Sequence, residues 1–256
     1  MFTLGIDIGS ITTKAALLKD GRLAATKLTF TGYNSEAAGE KIFAEILQDA
    51  GLKKSENIKV VATGYGRASV NFADKAITEI TCHAAGARHL NNSIRFIIDI
   101  GGQDSKAILL DENGKVKNFI MNDKCAAGTG RFLEVMARAL EINLDEFGTM
   151  SLQARNPAQI SSLCTVFAES EVISLISKGV TREDIVAGIH ESIGARVGAL
   201  ASRTGLTTPL MITGGVAKNI GVVKALEKAL NVKAAVISEH AQLTGAIGAA
   251  VLAQNI

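Results

Sequence analysis

Hydrophobic and polar positions follow two different periods along this chain. Apolar residues recur three or four positions apart over residues 37–50 and 131–140, which predicts two amphipathic helices. Short apolar runs that end at a glycine or a polar bend predict buried strands at 59–62, 210–213 and 234–237. Strands that alternate with helices indicate an α/β fold.

One segment of the sequence occurs twice. Residues 6–18 (IDIGSITTKAALL) and 98–110 (IDIGGQDSKAILL) are identical at eight of thirteen aligned positions, without a gap. A turn signal follows each copy, at 19–21 and 111–114, and another alternating run follows each turn. Each copy therefore predicts a strand, a glycine bend and hairpin-connected strands, and the shared Asp, Gly and Lys indicate a duplication.

The duplication predicts two halves with a boundary just before the second copy. Residues 1–93 would form the first half, joined by a closing helix at about 243–256. Residues 94–242 would form the second half, which contains two of the cysteines and a later glycine turn.

Composition narrows the function classes. Lys and Arg number 27 against 25 Asp and Glu, the net charge is +2, and aromatic residues make up 4% of the 256 residues. This balance argues against a protein that coats nucleic acid or anionic lipid, and the few rings argue against single-strand stacking. No apolar run approaches the roughly 20 residues that cross a bilayer, and the start lacks a signal-peptide pattern. We therefore expect a cytoplasmic protein without nucleic-acid or membrane partners.

The first glycine bend carries groups that suit phosphate. It comprises Gly9, Ser10, Ile11, Thr12, Thr13 and Lys14. Backbone N–H groups, hydroxyls and an ammonium at one bend are suited to phosphate oxygens. Asp7, just ahead of the bend, is placed to hold Mg²⁺ through water, because Mg²⁺ keeps most of its hydration shell.

A second bend and a third turn extend this pattern. The second bend comprises Gly101, Gly102, Gln103 and Asp104, and the third turn contains Gly214, Gly215, Val216, Lys218 and Asn219. Two such bends across a cleft would clamp a polyphosphate, with Asp7 and Asp104 converging on one Mg²⁺. At the third turn, the missing Cβ atoms would let a base or ribose approach the backbone.

These three turns, in this order, resemble the phosphate-one, phosphate-two and adenosine motifs of the actin, heat-shock-protein and sugar-kinase superfamily of ATP-binding proteins. The resemblance implies a duplicated ribonuclease-H-like (actin-like ATPase) fold, with ATP or ADP in the cleft between two halves. It places the first two bends at the phosphates and the third turn beside the nucleoside.

Two of the three cysteines precede helical patterns. Cys125 comes before the run that begins at Arg131, and Cys164 comes before a run through Val172 and Ile176. A helix N-terminus favours a thiolate or an anionic cluster. A [4Fe–4S] cluster ordinarily takes four thiolates, so two copies of the chain would be needed, and zinc would accept the same four. The alternative is that both cysteines pack as small apolar residues.

Segments along the whole chain resemble the activator (component A) proteins of 2-hydroxyacyl-CoA dehydratases, in an ATPase family that also includes benzoyl-CoA reductase subunits. The segments are ATGYGR at 62–67, EITCHA at 79–84, DIGGQDSK at 99–106, NDKCAAGTGRF at 122–132, CTVFAESEV at 164–172 and AQLTGA at 241–246. The resemblance implies a homodimer that shares one [4Fe–4S] cluster between Cys125 and Cys164 of both subunits. It also implies that Gln242 lies near the nucleotide.

The same resemblance implies ATP-dependent electron transfer. Ferredoxin or flavodoxin would donate an electron to the cluster, and ATP would tilt the helices that follow Cys125 and Cys164. The reduced dimer would then inject a low-potential electron into a 2-hydroxyacyl-CoA dehydratase as ATP is hydrolysed. A double-cubane cluster protein or an aromatic-ring reductase is the alternative recipient.

Roles within the nucleotide site follow from the same reasoning. Asp7, Gln103 and Asp104 would arrange metal and water for hydrolysis, and Lys14 and Lys106 would neutralise phosphate charge. A small-molecule kinase would bind ATP in the same way but needs an acceptor pocket, for which the sequence contains no insertion domain. A nucleotide-switched scaffold without redox chemistry would leave the cysteines as packing residues.

The sequence departs from the family pattern at two positions. Ile11 stands where the family often has Thr, and Glu239 stands where Pro is frequent, so we expect Thr12 and backbone N–H groups to compensate at the phosphate bend.

Cys82 and His83 are neighbours, but adjacent side chains on a helix point about 100° apart. Packing is therefore the better interpretation of that pair.

Overall fold

The computed structural model describes residues 1–53, 57–161, 164–234 and 239–256. The chain divides into two compact units. The first comprises Met1–Ile97, Ile108–Lys117 and Ser238–Ile256, and the second comprises Ile98–Ala107 and Asn118–Ile237. Neither unit is a single stretch of sequence, because the chain leaves each one and returns to it.

The strands of the described residues form a five-stranded sheet and a four-stranded sheet. The first has the order β3-β2-β1-β4-β5, and the second has the order β8-β7-β6-β9. The strands are β1 (Phe2–Ile8), β2 (Thr12–Lys19), β3 (Arg22–Phe30), β4 (Ile58–Thr63), β5 (Lys75–Ala76), β6 (Phe96–Ile100), β7 (Ser105–Leu110), β8 (Val116–Asn122) and β9 (Leu210–Thr213).

Burial explains the place of each strand in the first sheet. β1 is central, runs antiparallel to β2 and parallel to β4, and buries nearly every side chain. A strand covered on both faces needs a continuous apolar run, which β1 has. β3 lies at the edge and is exposed at every second position along most of its length, as its alternating sequence requires.

Helices occupy most of the remaining described chain. They are α1 (Ser35–Asp49), α2 (Glu79–Leu90), α3 (Gly130–Ala139), α4 (Leu144–Ser151), α5 (Thr165–Ser177), α6 (Arg182–Thr204), α7 (Ile220–Leu230) and α8 (Thr244–Leu252). Several begin after an Asn or Thr whose side chain accepts a hydrogen bond from a first-turn N–H, namely Asn34, Thr78, Asn143, Thr181 and Asn219. No helix of the described ranges is long and apolar enough to span a membrane.

The structure confirms the elements that hydrophobic periodicity predicted. Helix α1 covers most of 37–50, and α3 covers most of 131–140. Strand β4 contains the run at 59–62, and β9 coincides with 210–213. The strand predicted at 234–237 lies outside the described residues, apart from Ala234. Both copies of the repeat form a strand, a bend and two further strands, as expected.

Glycines allow the helices of the first unit to approach at backbone distance. Helix α8 packs against α2 and against β1. A Cβ on Gly248 would overlap the carbonyl oxygen of Cys82, and one on Gly86 would overlap that of Thr244. A Cβ on Gly5 of β1 would overlap the carbonyl oxygen of Ala246 in the same way. This part of the core therefore excludes any side chain at those three positions.

A substitution in α8 tests this close packing. We expect Gly248→Ala to lower the free energy of unfolding by about 3 kcal/mol, because the backbone of Cys82 cannot yield as a flexible side chain would. Gly198→Ala in α6 is the matched control, since a Cβ there meets its nearest neighbour at 3.4 Å. The control should be neutral or stabilising by up to about 1 kcal/mol, through helix propensity. Urea unfolding of both variants measures the difference, and equal effects would contradict this account of the packing.

Candidate functional site

The two glycine bends share one backbone geometry. Gly9 N donates to the carbonyl oxygen of Thr12 at 3.1 Å, and Gly101 N donates to that of Asp104 at 2.9 Å. The two hydrogen bonds occupy equivalent positions in the sequence repeat, so the duplication extends to the shape of the bend.

Each bend is accompanied by an ion pair between equivalent residues. Lys14 Nζ lies 3.4 Å from Asp7 Oδ2, and Lys106 Nζ lies 3.2 Å from Asp99 Oδ2. In the first unit, the pair joins residues that face each other across β1 and β2. The structural counterpart of Asp7 is therefore Asp99, whereas Asp104 belongs to the second bend itself.

The absence of a side chain at Gly9 leaves room for the ammonium group of Lys14. A Cβ at Gly9 would lie 2.9 Å from Lys14 Nζ. Asp7 is nearly buried, with 6% of its surface exposed, while Lys14 is half-buried. The side chain of Lys14 therefore bridges a buried carboxylate and the backbone of the phosphate bend, where its charge is available to an anion.

Hydroxyl groups at the first bend divide into two kinds. Thr13 is buried, and its Oγ1 shares a 2.9 Å hydrogen bond with Thr31 Oγ1, which also donates to the carbonyl oxygen of Gly9 at 2.7 Å. Ser10 is exposed, and Ile11 and Thr12 are half-buried. The hydroxyls open to a ligand are therefore those of Ser10 and Thr12, and Thr13 supports the bend from behind. Thr31 is a supporting residue that sequence reasoning missed.

At the second bend, Lys106 forms ion pairs with two carboxylates. Lys106 is 2% exposed and contacts Asp104 Oδ2 at 2.8 Å as well as Asp99. Asp99 Oδ1 accepts a 2.9 Å hydrogen bond from Thr213 Oγ1 at the end of β9. The ammonium group of Lys106 neutralises these two carboxylates, because burial demands that charges be paired. The role of Lys106 toward phosphate, suggested by the sequence, stays a prediction. Gln103 is exposed at the tip of the bend.

Backbone hydrogen bonds tie the second bend to helix α3. The N–H of Gly130 donates to the carbonyl oxygen of Gly101 at 2.9 Å, and that of Arg131 donates to Gly102 at 2.8 Å. These donors are first-turn N–H groups, which have no acceptor inside their own helix. The first turn of α3 and the second bend therefore move together.

The third turn joins β9 to α7. Gly214 has a φ of +87°, and a Cβ there would overlap the carbonyl oxygen of Ile100, so glycine is required. A short 3₁₀ helix, Gly215–Lys218, follows. Lys218 is exposed, Gly215 is half-buried and Val216 is buried.

Asn219 has a local role that the sequence did not reveal. Its Oδ1 accepts from the N–H of Val222 at 3.1 Å and thereby caps α7. Its Nδ2 lies 3.3 Å from His190 Nε2, and His190 is 1% exposed and meets the ring of Phe147 edge-on. Burial lowers the pKa of His190 to about 4, so the imidazole is neutral and accepts at Nε2.

Gln242, the remaining residue expected near the nucleotide, lies just before helix α8. It is half-buried in a short 3₁₀ helix, Ala241–Leu243, that leads directly into α8. It belongs to the first unit with Asp7, whereas the third turn belongs to the second unit.

The three cysteines lie in different surroundings. Cys82 is fully buried on α2 beside the buried His83, and burial raises the pKa of its thiol to about 12. Cys82 packs in the core with Val61 and Ala249, as expected, and the packing role of His83 stays a prediction. Cys164 is exposed and occupies the N-cap position of α5, as its place before a helical pattern predicted.

Cys125 lies ahead of α3, as the sequence suggested, but it is not the N-cap of that helix. Thr129, not Cys125, is the N-cap of α3, because the chain first makes a turn through Gly128 at a φ of +89°. Asn122 Nδ2 donates to the carbonyl oxygen of Cys125 at 2.8 Å, and Arg196 Nη1 lies 3.8 Å from its sulfur. Arg196 is 71 positions away in the sequence, and no local pattern pointed to it.

The described part of one chain holds no group of three or more His, Cys, Asp or Glu side chains that could bind a metal ion. Cys125 and Cys164 both belong to the second unit. Asp7 and Asp104, the two carboxylates expected at Mg²⁺, belong to different units.

The two strand–bend–strand copies are those expected of a duplicated ribonuclease-H-like, actin-like ATPase fold, and structural neighbours confirm that fold. The chain belongs to the BadF/BadG/BcrA/BcrD ATPase family, which it matches over residues 4–253.

Relatives of known structure and activity are similar along the whole chain. The activator of lactoyl-CoA dehydratase from Anaerotignum propionicum is 51% identical over 254 residues, which cover 99% of this chain and 97% of that protein. Component A of the (R)-2-hydroxyglutaryl-CoA dehydratase of Acidaminococcus fermentans superposes with a TM-score of 0.95 at 46% identity, covering 100% of this chain and 98% of that one. The activator of the 2-hydroxyisocaproyl-CoA dehydratase from Clostridium difficile, solved with bound ADPNP, gives 0.93 at 46% identity, covering 100% and 95%. The family suggested by the sequence motifs is thus confirmed.

The buried His190 generates a prediction about stability. Its folded pKa of about 4 lies below the ordinary value of 6.5, so the unfolded chain binds the proton more tightly. The stabilising contribution is therefore complete above pH 6.5 and is lost as pH falls toward 4, by up to about 3 kcal/mol. Denaturant unfolding at pH 7 and pH 4.5 should show a smaller loss for His190→Gln than for the native chain. His89→Gln, at an exposed histidine, is the control and should keep the native pH dependence.

Proposed function

We propose that this protein is an ATP-dependent electron-transfer activator of a 2-hydroxyacyl-CoA dehydratase or a related reductase component. It acts as a homodimer with one [4Fe–4S] cluster between the subunits. The observation that carries the proposal is the presence in one chain of two phosphate-type bends and of an exposed thiol at a helix N-cap, Cys164.

In this proposal the nucleotide is bound by the residues predicted from the sequence. Gly9, Ser10, Ile11, Thr12, Thr13 and Lys14, with Gly101, Gly102 and Gln103, serve the phosphates of ATP or ADP. Gly214, Gly215, Val216, Lys218, Asn219 and Gln242 serve the nucleoside. The backbone at Gly9 and Gly101 is already held in the bend, so little ordering cost remains for binding. Asn219 contributes by fixing the end of the third turn through its cap on α7.

Mg²⁺ and the attacking water are assigned to Asp7, Gln103 and Asp104. Asp7 keeps one carboxylate face toward Lys14, and Asp104 shares Lys106 with Asp99. A carboxylate held by a lysine is fixed in orientation, which suits a cation that binds mostly through its own water shell. Gln103 is exposed and free to orient a water molecule beside the terminal phosphate.

The residues present fit an iron–sulfur cluster better than a mononuclear site within one chain. Thiolates are the usual ligands of such clusters, and this chain offers two outside the core, Cys125 and Cys164. Two chains related by a twofold axis supply four. When bound, the cluster would supply one-electron chemistry at low potential. Zinc would take the same thiolates, and the amounts of bound iron, sulfide and zinc distinguish a cluster from a zinc site.

Helix α5 offers the surface on which a second copy would pack. Only Ala168 and Val172 of this helix are buried. Its exposed large apolar residues are Val166, Phe167, Ile173 and Ile176, and Cys164 begins the same helix. An apolar surface next to a ligand that needs a partner chain favours a homodimer with α5 at the interface.

The link between nucleotide and thiols runs through α3. Gly101 and Gly102 accept hydrogen bonds from the first turn of α3, and the turn that precedes α3 contains Cys125. Helix α3 also packs against α5, which begins after Cys164. When ATP replaces ADP, a shift of the second bend therefore reaches both thiols through one helix. Ferredoxin or flavodoxin is the proposed electron donor, and the dehydratase is the recipient.

Cysteine variants test the function directly. After anaerobic purification, Cys125→Ser and Cys164→Ser should each lose more than about tenfold in iron and sulfide content, since a serine oxygen is a poor cluster ligand. Binding of ATP, followed by calorimetry, should stay within about twofold because neither residue belongs to the bends. Cys82→Ala is the matched control and should keep its iron. Stoichiometric zinc in the native protein, or full iron in either serine variant, would contradict the proposal.

A second prediction concerns the dimer. Phe167→Asp should weaken self-association by at least about tenfold, because the ring is 68% exposed in one chain and would be buried against the second copy. Sedimentation equilibrium under anaerobic conditions measures the effect. Phe30→Asp, at a ring that is 79% exposed in the first unit, should leave association unchanged. Equal behaviour of the two variants would argue against α5 as the interface.

A further inference from the structure

The two proposed thiolate ligands receive positive charge from different sources. Cys164 is the N-cap of α5, so the partial charge of a helix N-terminus lies beside it. Cys125 lacks this arrangement, since the N-cap of α3 is Thr129. A full guanidinium charge takes its place, with Arg196 Nη1 3.8 Å from the sulfur of Cys125.

The fold positions this guanidinium in a defined way. Arg196 lies in the interior of the long helix α6, and its neighbours Ile193 and Val197 are each 1% exposed. The helix is therefore anchored on both sides of the arginine. The side chain of Arg196 itself is half-buried, which limits the screening of its charge by water.

Gly128 provides the path for the arginine stem. A Cβ on Gly128 would lie 3.1 Å from Arg196 Cδ and 3.6 Å from its Cγ. Gly128 also has a φ of +89°, a conformation that favours glycine. The turn that contains Cys125 is thus shaped to admit the arginine, and the contact joins two elements that are far apart in sequence.

We propose that Arg196 is a positioning residue that donates a charge-assisted hydrogen bond to the sulfur of Cys125 and stabilises the reduced cluster. This inference rests on the proposed function. If a [4Fe–4S] cluster is bound, its one-electron reduction without a proton would make the net charge of the cluster and its four thiolates more negative by one. A fixed cation beside one of them favours the reduced form, because hydrogen bonds to sulfur and nearby charge set cluster potentials.

The dimer doubles this effect. Each subunit contributes one Cys125 and with it one Arg196, so two guanidinium groups flank one cluster. Cys164 lies instead beside the partial positive charge of the N-terminus of α5, as its N-cap. Arg196 therefore makes electron uptake from a biological donor easier, and its removal makes the reduced protein harder to form.

Three variants separate charge from packing. Arg196→Gln removes the charge but keeps a hydrogen-bond donor, Arg196→Lys keeps the charge, and Arg203→Gln removes an exposed charge from the end of the same helix. The measurement is a dithionite titration of the purified dimer with bound ADP, followed by EPR of the reduced cluster. Iron content and thermal unfolding are recorded for every variant.

We expect Arg196→Gln to lower the ratio of reduced to oxidised cluster at fixed potential by at least tenfold, which corresponds to about 59 mV for a one-electron couple. Arg196→Lys should change it by less than threefold, and Arg203→Gln should leave it unchanged. If Arg196→Gln loses iron, retention of iron by Arg196→Lys supports the role of charge, and loss from both overturns it. An unchanged ratio in an iron-replete Arg196→Gln variant also overturns it. Native protein without an iron–sulfur signal would instead sink the proposed function.

Discussion

A carboxylate and a lysine that meet across two neighbouring strands hold each phosphate bend, and the rest of the site depends on this pairing. Asp7 with Lys14 and Asp99 with Lys106 occupy equivalent positions in the two copies of the repeat. The second pair is almost completely buried, and removal of one partner from a buried pair costs several kcal/mol, about 3 to 5. Neither member is therefore free to vary independently of the other.

The two copies of the repeat differ in the charged and hydroxyl groups at their bends. In the first, Lys14 remains half-buried beside the open bend, and hydroxyl groups face outward. In the second, Asp104 stands where the first copy has Thr12, and Lys106 is fully engaged by carboxylates. The first bend thus carries a half-buried ammonium group, while the second carries a carboxylate and hydrogen bonds to α3. Under the proposed function, the first bend would serve the phosphates and the second would also serve Mg²⁺.

Helix α3 is attached to the second bend by hydrogen bonds of its first turn, and Cys125 lies just ahead of the same helix. First-turn N–H groups of α3 would be unsatisfied without the carbonyl oxygens of Gly101 and Gly102. Any shift of the bend must therefore move the helix or break those hydrogen bonds. Because Arg196 approaches Cys125 from α6, a moving α3 turn also changes the distance between sulfur and guanidinium. Under the proposed function, this hydrogen-bond geometry would couple the nucleotide state to the cluster potential.

The amino-acid sequence by itself determined the fold class, the repeated strand–bend–strand unit, most predicted helices and strands, and the family. Those features are local: periodicity fixes helices and strands, and glycine at fixed spacing fixes the bends. Only the tertiary structure decided several contacts. Lys106 neutralises Asp99 and Asp104, and Thr31 supports the first bend. His190 contacts the amide of Asn219, and Arg196 contacts the sulfur of Cys125. These contacts join residues that local patterns do not relate, and burial with pairing of charge, which depends on the whole fold, selects them.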